Sequence, residues 1–409
     1  MDLSVNRLNG CLLRKIAVTF VRSYSNIFTS PLQLINEMNI GYVVTSFPTL
    51  SESFVLNEVS ELMRRGINVH VLSLSEPERN KSNSDVLNSE LFQNRVHTFK
   101  GSLMMKGLSL LRSDIYIRAK YFVNLIRKEG LQLDLIHAQF AADQSYVASK
   151  IAGALNLPHS ITAHASDVYS SKYRDKSRRQ MLKADAVVTI SNYNAEYIRS
   201  LNISPEKVHV IRAGVDLKKF SQRSKNSIKQ RALLSIGRLV EKKGLIFSIK
   251  AVKNLQEKCP GLMYRIVGSG PLEQTLKDAA HGLNVQFLKG VSDDEIIQLL
   301  NACTAFVLPC IIAQDGDRDG IPVALMEAMA CEVPVISTYV SGIPELIESG
   351  KEGILVEQRN VCELERAVEF VLQDQNSTDM GVNARKKVER CYDIEKNIPK
   401  LIEVFESLI

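Results

Sequence analysis

The stretch from Asp315 to Glu345 reads DGDRDGIPVALMEAMACEVPVISTYVSGIPE, and its alternation decides the fold class. The apolar run Ala305-Phe306-Val307-Leu308 precedes it, and Pro309 and Gly316 bracket an acid-rich loop. Gly320-Ile321-Pro322 then leads into an apolar helical segment, Val323 to Ala330. A short buried strand, Val333 to Ser337, follows, and Ser341-Gly342-Ile343-Pro344 opens another helix. Strand, loop, helix, strand, loop, helix is the pattern of a parallel α/β sheet. Asp319 and Glu327 straddle the first loop-to-helix junction, near the carboxyl ends of strands, where open α/β sheets bind ligands. A capping Asp and a solvated Glu would be the ordinary alternative. Glu327, however, lies among Val323, Leu325, Met326 and Met329, where an unpaired carboxylate is costly.

The 409 residues are enough for two domains of ordinary size, each with its own core. Apolar residues at 45% and charged residues at 23% give the balance of a soluble globular chain. No run of eighteen apolar residues is present to span a bilayer. The cysteines Cys11, Cys259, Cys303, Cys310, Cys331, Cys362 and Cys391 are never spaced as Cys-x-x-Cys, and several sit in apolar runs. That predicts reduced, buried thiols and a cytoplasmic setting. The formal net charge of +6 belongs to the first half: residues 38–220 carry 24 Lys and Arg against 17 Asp and Glu, residues 221–409 carry 23 against 26. A basic half suits an anionic lipid surface, a phosphorylated acceptor or simply a solvated face, whereas no nucleic-acid-binding motif accompanies it.

Residues 1–37 stand apart. From Leu3 to Asn36 there is no acid, while Arg7, Arg14, Lys15 and Arg22 lie among apolar residues and serines. An amphipathic anchor, a targeting segment and a true start at Met38 all fit. The α/β series begins with Ile40 to Val44. The loop Ser46-Phe47-Pro48-Thr49-Leu50-Ser51-Glu52-Ser53-Phe54 opens a helix from Val55 to Arg65 that closes at Gly66, before a second strand, Asn68 to Leu74. Residues 75–130 read as a polar linker and then helices with basic faces. Further strands are expected at Leu133 to Gln139, His159 to Ala163, Ala186 to Ser191 and Val208 to Ile211. Between them fall helices Asp143 to Leu155 and Asn194 to Leu201, the second capped by Ser191. His164 and Asp167 come at the carboxyl end of a strand, a position that serves function or structure equally well. There is no GxGxxG in this half to support dinucleotide binding.

After a polar linker, Ser221 to Lys229, the alternation restarts. Leu233 to Ile236 leads to the turn Gly237-Arg238-Leu239, and Glu241-Lys242-Lys243-Gly244 opens the next helix. Across that turn Arg238 and Lys243 can converge on a diphosphate, one as a planar fork and the other as a point charge. Tyr264 to Val267 leads to Gly268-Ser269-Gly270-Pro271, whose glycines would let backbone approach a ligand ahead of a helix starting near Leu272. Asp293 to Asn301, Cys362 to Gln373, Met380 to Cys391 and Ile394 to Leu408 read as helices.

From about Asn39 to the C-terminus the chain resembles the retaining glycosyltransferases of family 4. Asp319 to Glu345 is similar to the family's Glu-x7-Glu signature and its GIPE turn, except that Asp319 stands where most members have Glu, one methylene longer. Gly237 to Gly244 resembles the phosphate-binding GRLxxxKG, and Thr162 to Asp167 the TxHxxD element. Arg212 to Phe220 resembles the inter-domain hinge, and Phe47 to Phe54 the FPxxSExF entry of exopolysaccharide and colanic-acid-type members. The resemblance implies the GT-B fold, two Rossmann-like α/β domains facing a central cleft. Residues 38–220 would bind the acceptor, residues 221–393 the donor, and a last helix, residues 394–409, would cross back to the first domain.

The resemblance also implies a nucleotide-diphosphate sugar as donor, bound by Arg238, Lys243, Gly268, Gly270, Gly320, Ile321, Pro322, Gly342 and Ile343. The N–H groups of Gly342 and Ile343 would add dipolar stabilisation. Glu327 would accept the ribose hydroxyls, Asp319 would hold the donor sugar, and His164 would position it. Ser51, Glu52 and Asp167 would face the acceptor, a saccharide or polyprenyl-linked saccharide of exopolysaccharide or cell-surface glycan synthesis. Peripheral contact with the inner face of the cell membrane is compatible with the basic half. No cofactor is expected. Asp315-Gly316-Asp317 and Asp317-Arg318-Asp319 have a spacing that can hold a divalent ion, but basic residues aimed at the same anion make a metal redundant. Two rivals stand beside the transferase: an epimerase or phosphorylase of the same plan, and a non-catalytic nucleotide-sugar-binding protein, for which Asp319 is the sole support.

Overall fold

The computed structural model describes residues 38–49, 52–76, 89–100, 113–221, 231–373 and 377–409. The extension 1–37 and Ser51 lie outside these residues. Strands β1 (Asn39–Ser46), β2 (Asn68–Ser75), β3 (Val96–Thr98), β4 (Leu135–Gln139), β5 (His159–Ala163), β6 (Ala186–Thr189) and β7 (Val208–Val210) form one sheet, ordered β3-β2-β1-β4-β5-β6-β7. All pairings are parallel: Tyr42 stands beside Val71 on one side and His137 on the other. Helices cover both faces, so a strand such as Ile40 to Val44 is apolar throughout rather than alternating. The order reverses between β1 and β4, which leaves a crevice at their carboxyl ends.

Helices α1 (Ser53–Arg64), α2 (Ser113–Glu129), α3 (Asp143–Leu155), α4 (Ser166–Tyr169), α5 (Arg174–Lys183) and α6 (Asn192–Ser200) link these strands. Gly66, with φ 89°, follows the end of α1, and Asn156, with φ 55°, ends α3 in the left-handed conformation. Ser191 accepts a hydrogen bond from the Asn194 N–H at 3.1 Å and caps α6, which starts two residues earlier than expected. Helix α5 had no helical signal in the sequence, because it buries only Ser177, Gln180 and Met181.

A second parallel sheet contains β8 (Ala232–Ile236), β9 (Met263–Val267), β10 (Val285–Leu288), β11 (Ala305–Val307), β12 (Val335–Thr338) and β13 (Gly353–Val356), ordered β10-β9-β8-β11-β12-β13. Its reversal falls between β8 and β11. Helices α7 (Leu245–Lys258), α8 (Glu273–Ala279), α9 (Asp293–Ala302), α10 (Val323–Ala330), α11 (Ile343–Leu346), α12 (Val361–Gln373) and α13 (Ser377–Cys391) complete this half. A capping box between Ser292 and Glu295 fixes the start of α9.

The last helix, α14 (Ile394–Glu406), packs on the first sheet. Its Ile398, Leu401, Ile402 and Phe405 join Ile40, Tyr42, Val59 and Leu62 in one apolar cluster, and the Phe405 ring lies 5.0 Å from that of His137. Gly214 makes the approach feasible, since a Cβ there would come within 2.4 Å of Ile394 Cα.

Candidate active site

Two turns at the ends of β8 and β9 form the floor of the second domain's crevice. They are laced together: Gly237 N–H donates to Val267 O at 3.0 Å, and Leu239 N–H to Ser269 O at 2.9 Å. A Cβ on Gly268 would lie 2.0 Å from Gly237 O, and one on Gly270 2.5 Å from Leu239 O. These glycines therefore serve the contact between the turns. The residues at the start of the helix behind them bond back to the same turns. Leu272 N–H donates to Leu239 O at 3.1 Å and Glu273 N–H to Gly270 O at 3.1 Å.

Charge gathers beside this floor. Lys243 Nζ lies 2.6 Å from Asp319 Oδ2, and Lys242 Nζ lies 3.5 Å from Asp319 Oδ1 and 3.1 Å from Asp317. The Cys310 thiol points at Asp319 Oδ2 from 3.5 Å. Burial opposes the charge on Asp319, but the two lysines outweigh it and hold the carboxyl below its ordinary range. Lys243 is raised in turn by Asp319, again against burial. Gly244 allows the lysine to turn in: it sits at φ 65°, where a Cβ would meet Pro309 O at 1.9 Å. Asp319 is thus engaged by cations on both oxygens. Lys242 escaped the sequence reading, although its place beside Lys243 was the available signal.

Arg238 is exposed, and its charge opposes the rise that burial imposes on the Glu52 carboxyl of the first domain. The two charges are therefore near enough to interact between the domains. Glu327, half-buried on α10, has its carboxyl pushed up to about 7 by burial, with Lys219 pulling it down and Asp293 adding to the rise. Lys219 and Asp293 are themselves an ion pair.

The turns on either side of α10 and β12 meet the first domain. A Cβ on Gly320 would lie 2.8 Å from Ile190 Cδ1, and one on Gly342 2.8 Å from Ser191 Cβ; Ile321 and Pro322 are buried beside them. Gly342 N–H donates to Gly320 O at 3.2 Å and Ile343 N–H to Val340 O at 3.1 Å. Both groups are spent inside the domain, so the expected dipolar contact from this helix start is not available. Glu345 reaches across instead and accepts from the N–H groups of Asn192 (3.1 Å) and Tyr193 (2.9 Å) and from Arg212 Nη2 (3.1 Å). A carboxylate from one domain thus caps α6 of the other. Ser171 N–H adds a bond to Asp315 O at 3.0 Å, and the Arg318 guanidinium lies 4.5 Å from the Tyr169 ring centre.

In the first domain, His164 follows β5 and is clamped between Phe54 and Phe140, with ring centres 4.7 and 4.6 Å away. Its Nε2 lies 2.6 Å from Gln139 Oε1, and burial lowers the imidazole to about 3, so the ring is neutral. Asp167 accepts from the N–H groups of Ala141 at 2.8 Å and His164 at 3.1 Å; burial still carries its carboxyl up to about 6. Its oxygens thus hold the backbone at the ends of β4 and β5. It does form part of the wall of a cavity of about 340 Å³ at the β1–β4 reversal, lined also by Thr45, Glu52, Arg118, Gln144 and Tyr173.

Two family models divide most of the chain between them. Residues 51–219 match Glycosyltransferase Family 4, and residues 218–387 match Glycosyl transferases group 1. The chain belongs to the glycosyltransferases, with a Family 4 first half and a group 1 second half. Among its relatives, this glycosyltransferase is 29% identical over 404 residues to WcaL of Salmonella typhimurium, a protein named provisionally as a colanic acid biosynthesis glycosyltransferase. That match covers 90% of this chain and 100% of the relative. It is also 29% identical over 415 residues to the amylovoran biosynthesis glycosyltransferase AmsK of Erwinia amylovora, covering 91% and 100%. The crystal structure of Anabaena HepE with UDP and glucose superposes with a TM-score of 0.73 at 18% identity, covering 90% of this chain and 99% of that one. The glycosyltransferase has the GT-B fold, two Rossmann-like α/β domains.

Proposed function

We propose that the protein transfers a sugar, with retention of anomeric configuration, from a nucleoside diphosphate sugar in the second domain to a saccharide or lipid-linked saccharide held in the first. The observation that carries this reading is the group Arg238, Lys242 and Lys243, set at the carboxyl end of β8 beside the sheet's reversal. The first domain's cavity opens at the matching reversal between β1 and β4. Open α/β sheets bind ligands at such points.

The chemistry follows from the charges. Breaking the bond from the anomeric carbon to phosphate leaves a diphosphate with growing negative charge, which Arg238 and Lys243 are suited to stabilise. Retention without a covalent intermediate needs the acceptor hydroxyl to approach from the face the diphosphate leaves. A departing phosphate oxygen can then take the hydroxyl proton. Asp319, tied to two lysines, acts in this reading as a positioning residue for Lys243. Glu327 accepts the ribose hydroxyls. The names of the WcaL and AmsK relatives favour exopolysaccharide synthesis as the setting.

The test is a panel of UDP-, GDP- and dTDP-sugars offered with saccharide acceptors, with NMR reading the anomeric configuration of the product. A product of retained configuration is expected. Inverted product, free epimer or sugar phosphate would overturn the proposal.

A further inference from the structure

A polar chain behind His164 plays no part in the reading above. Gln139 Nε2 donates to Glu58 Oε1 at 2.7 Å and to the Tyr42 hydroxyl, which itself donates to that Glu58 oxygen. An ionised carboxylate can only accept, so the amide must turn its NH₂ to Glu58 and its carbonyl to His164. His164 Nε2, 2.6 Å from that carbonyl oxygen, therefore carries the proton, and Nδ1 keeps its lone pair. Phe54 and Glu58 stand one turn apart on α1, so the same helix supplies both the ring that clamps His164 and the acid that orients its partner. Both residues and His164 line one enclosed cavity of about 20 Å³.

We propose that Glu58, acting through Gln139, is a positioning residue that fixes His164 as its Nε2–H tautomer, so that Nδ1 accepts a hydrogen bond from a hydroxyl of the donor sugar. The second half of this statement rests on the transferase reading; the first does not. The groups around Glu58 are Tyr42 from β1, Gln139 from β4, and, lining the same cavity, Thr162 and His164 from β5 and its end, Arg212 after β7 and Asn397 from α14. Burial pushes the Glu58 carboxyl up to about 7, with the bonds from Tyr42 and Gln139 pulling it down. Once protonated, Glu58 can donate as well as accept, and the amide loses its enforced sense.

The test uses the full chain labelled with ¹⁵N-histidine, the His164 ring signals being assigned by their loss in His164→Asn. At about pH 8.5, where Glu58 is ionised, wild type should show a single Nε2–H tautomer. Glu58→Gln should show a mixture or the Nδ1–H form, with kcat for transfer down roughly ten-fold, about one neutral hydrogen bond, and donor KM nearly unchanged. A retained Nε2–H tautomer in Glu58→Gln, or an altered tautomer with unchanged kcat, would overturn the proposal. Should Glu58→Gln fail to fold, the unaltered protein decides between about pH 8.5 and about pH 5.5, which brackets the carboxyl. Loss of the single tautomer on acidification, repeated in Asp167→Asn to remove the other carboxyl that titrates in this range, supports the relay, and its persistence rejects it. If wild type turns over no nucleotide sugar, the transferase reading fails, while the ring spectra still judge the relay.

Discussion

Lys243 Nζ stands 2.6 Å from Asp319 Oδ2, so the cation best placed for a diphosphate is held by a carboxylate. Donor phosphate must share or displace that partner. The shorter Asp suits this arrangement, because Lys242, Lys243 and the Cys310 thiol all converge on it.

Asp319→Ala should therefore leave nucleoside diphosphate binding equal or tighter while lowering turnover, because a competing anion is gone and Lys243 has lost its orientation. Calorimetry and initial rates check the two halves. Weaker diphosphate binding with normal turnover would reverse the assigned role. Asp319→Glu pushes the carboxylate one methylene beyond its present contacts and should keep only part of the activity.

Glu345→Ala removes a cap that crosses between the domains. Loss of a helix cap typically costs about 0.5–2 kcal/mol, and here the loss also frees the domains to separate. A lower Tm and a larger radius of gyration in X-ray scattering are expected, with kcat/KM reduced for donor and acceptor alike. An unchanged radius would mean that the remaining contacts suffice.

Glu327→Gln should raise the thermal stability of the unliganded protein at high pH while weakening donor binding. The folded carboxyl sits at about 7, above its ordinary value, so the fold favours the protonated form. Its stabilising share is complete below the ordinary carboxylate range and is lost as pH rises through about 7. Gln imitates the protonated form at every pH. The two proteins should melt together near pH 4.5, and the variant should melt higher at about pH 8. Equal melting at both would mean that the ionised carboxylate carries no penalty.

The α/β alternation was legible because parallel strands covered on both faces are apolar throughout, as Ile40 to Val44 shows. Helix α5 was not, since one buried apolar residue, Met181, leaves no periodic stripe to read. Strand β3, Val96–Thr98, carries a single apolar residue and is nowhere fully buried, which leaves no apolar run to read. At the site, a motif identified Arg238, Lys243, Asp319 and Glu327, but not what each touches. Glycine at 268 and 270 showed that a Cβ was excluded, without showing that backbone excludes it. Glu345 looked like part of a local turn, although its partners Asn192 and Tyr193 lie in the other domain. Glu58 carried no signal in the sequence, because Gln139, which gives it meaning, is 81 residues away in the chain.

The central claim is that Arg238 and Lys243 hold the diphosphate of the donor. Calorimetric titration of wild type, Arg238→Ala and Lys243→Ala with nucleoside diphosphates tests it most directly. Each substitution removes a charge-assisted contact typically worth ~1.5–3 kcal/mol, so affinity should fall by about one to two orders of magnitude in either variant. Equal affinity in all three proteins would contradict the claim.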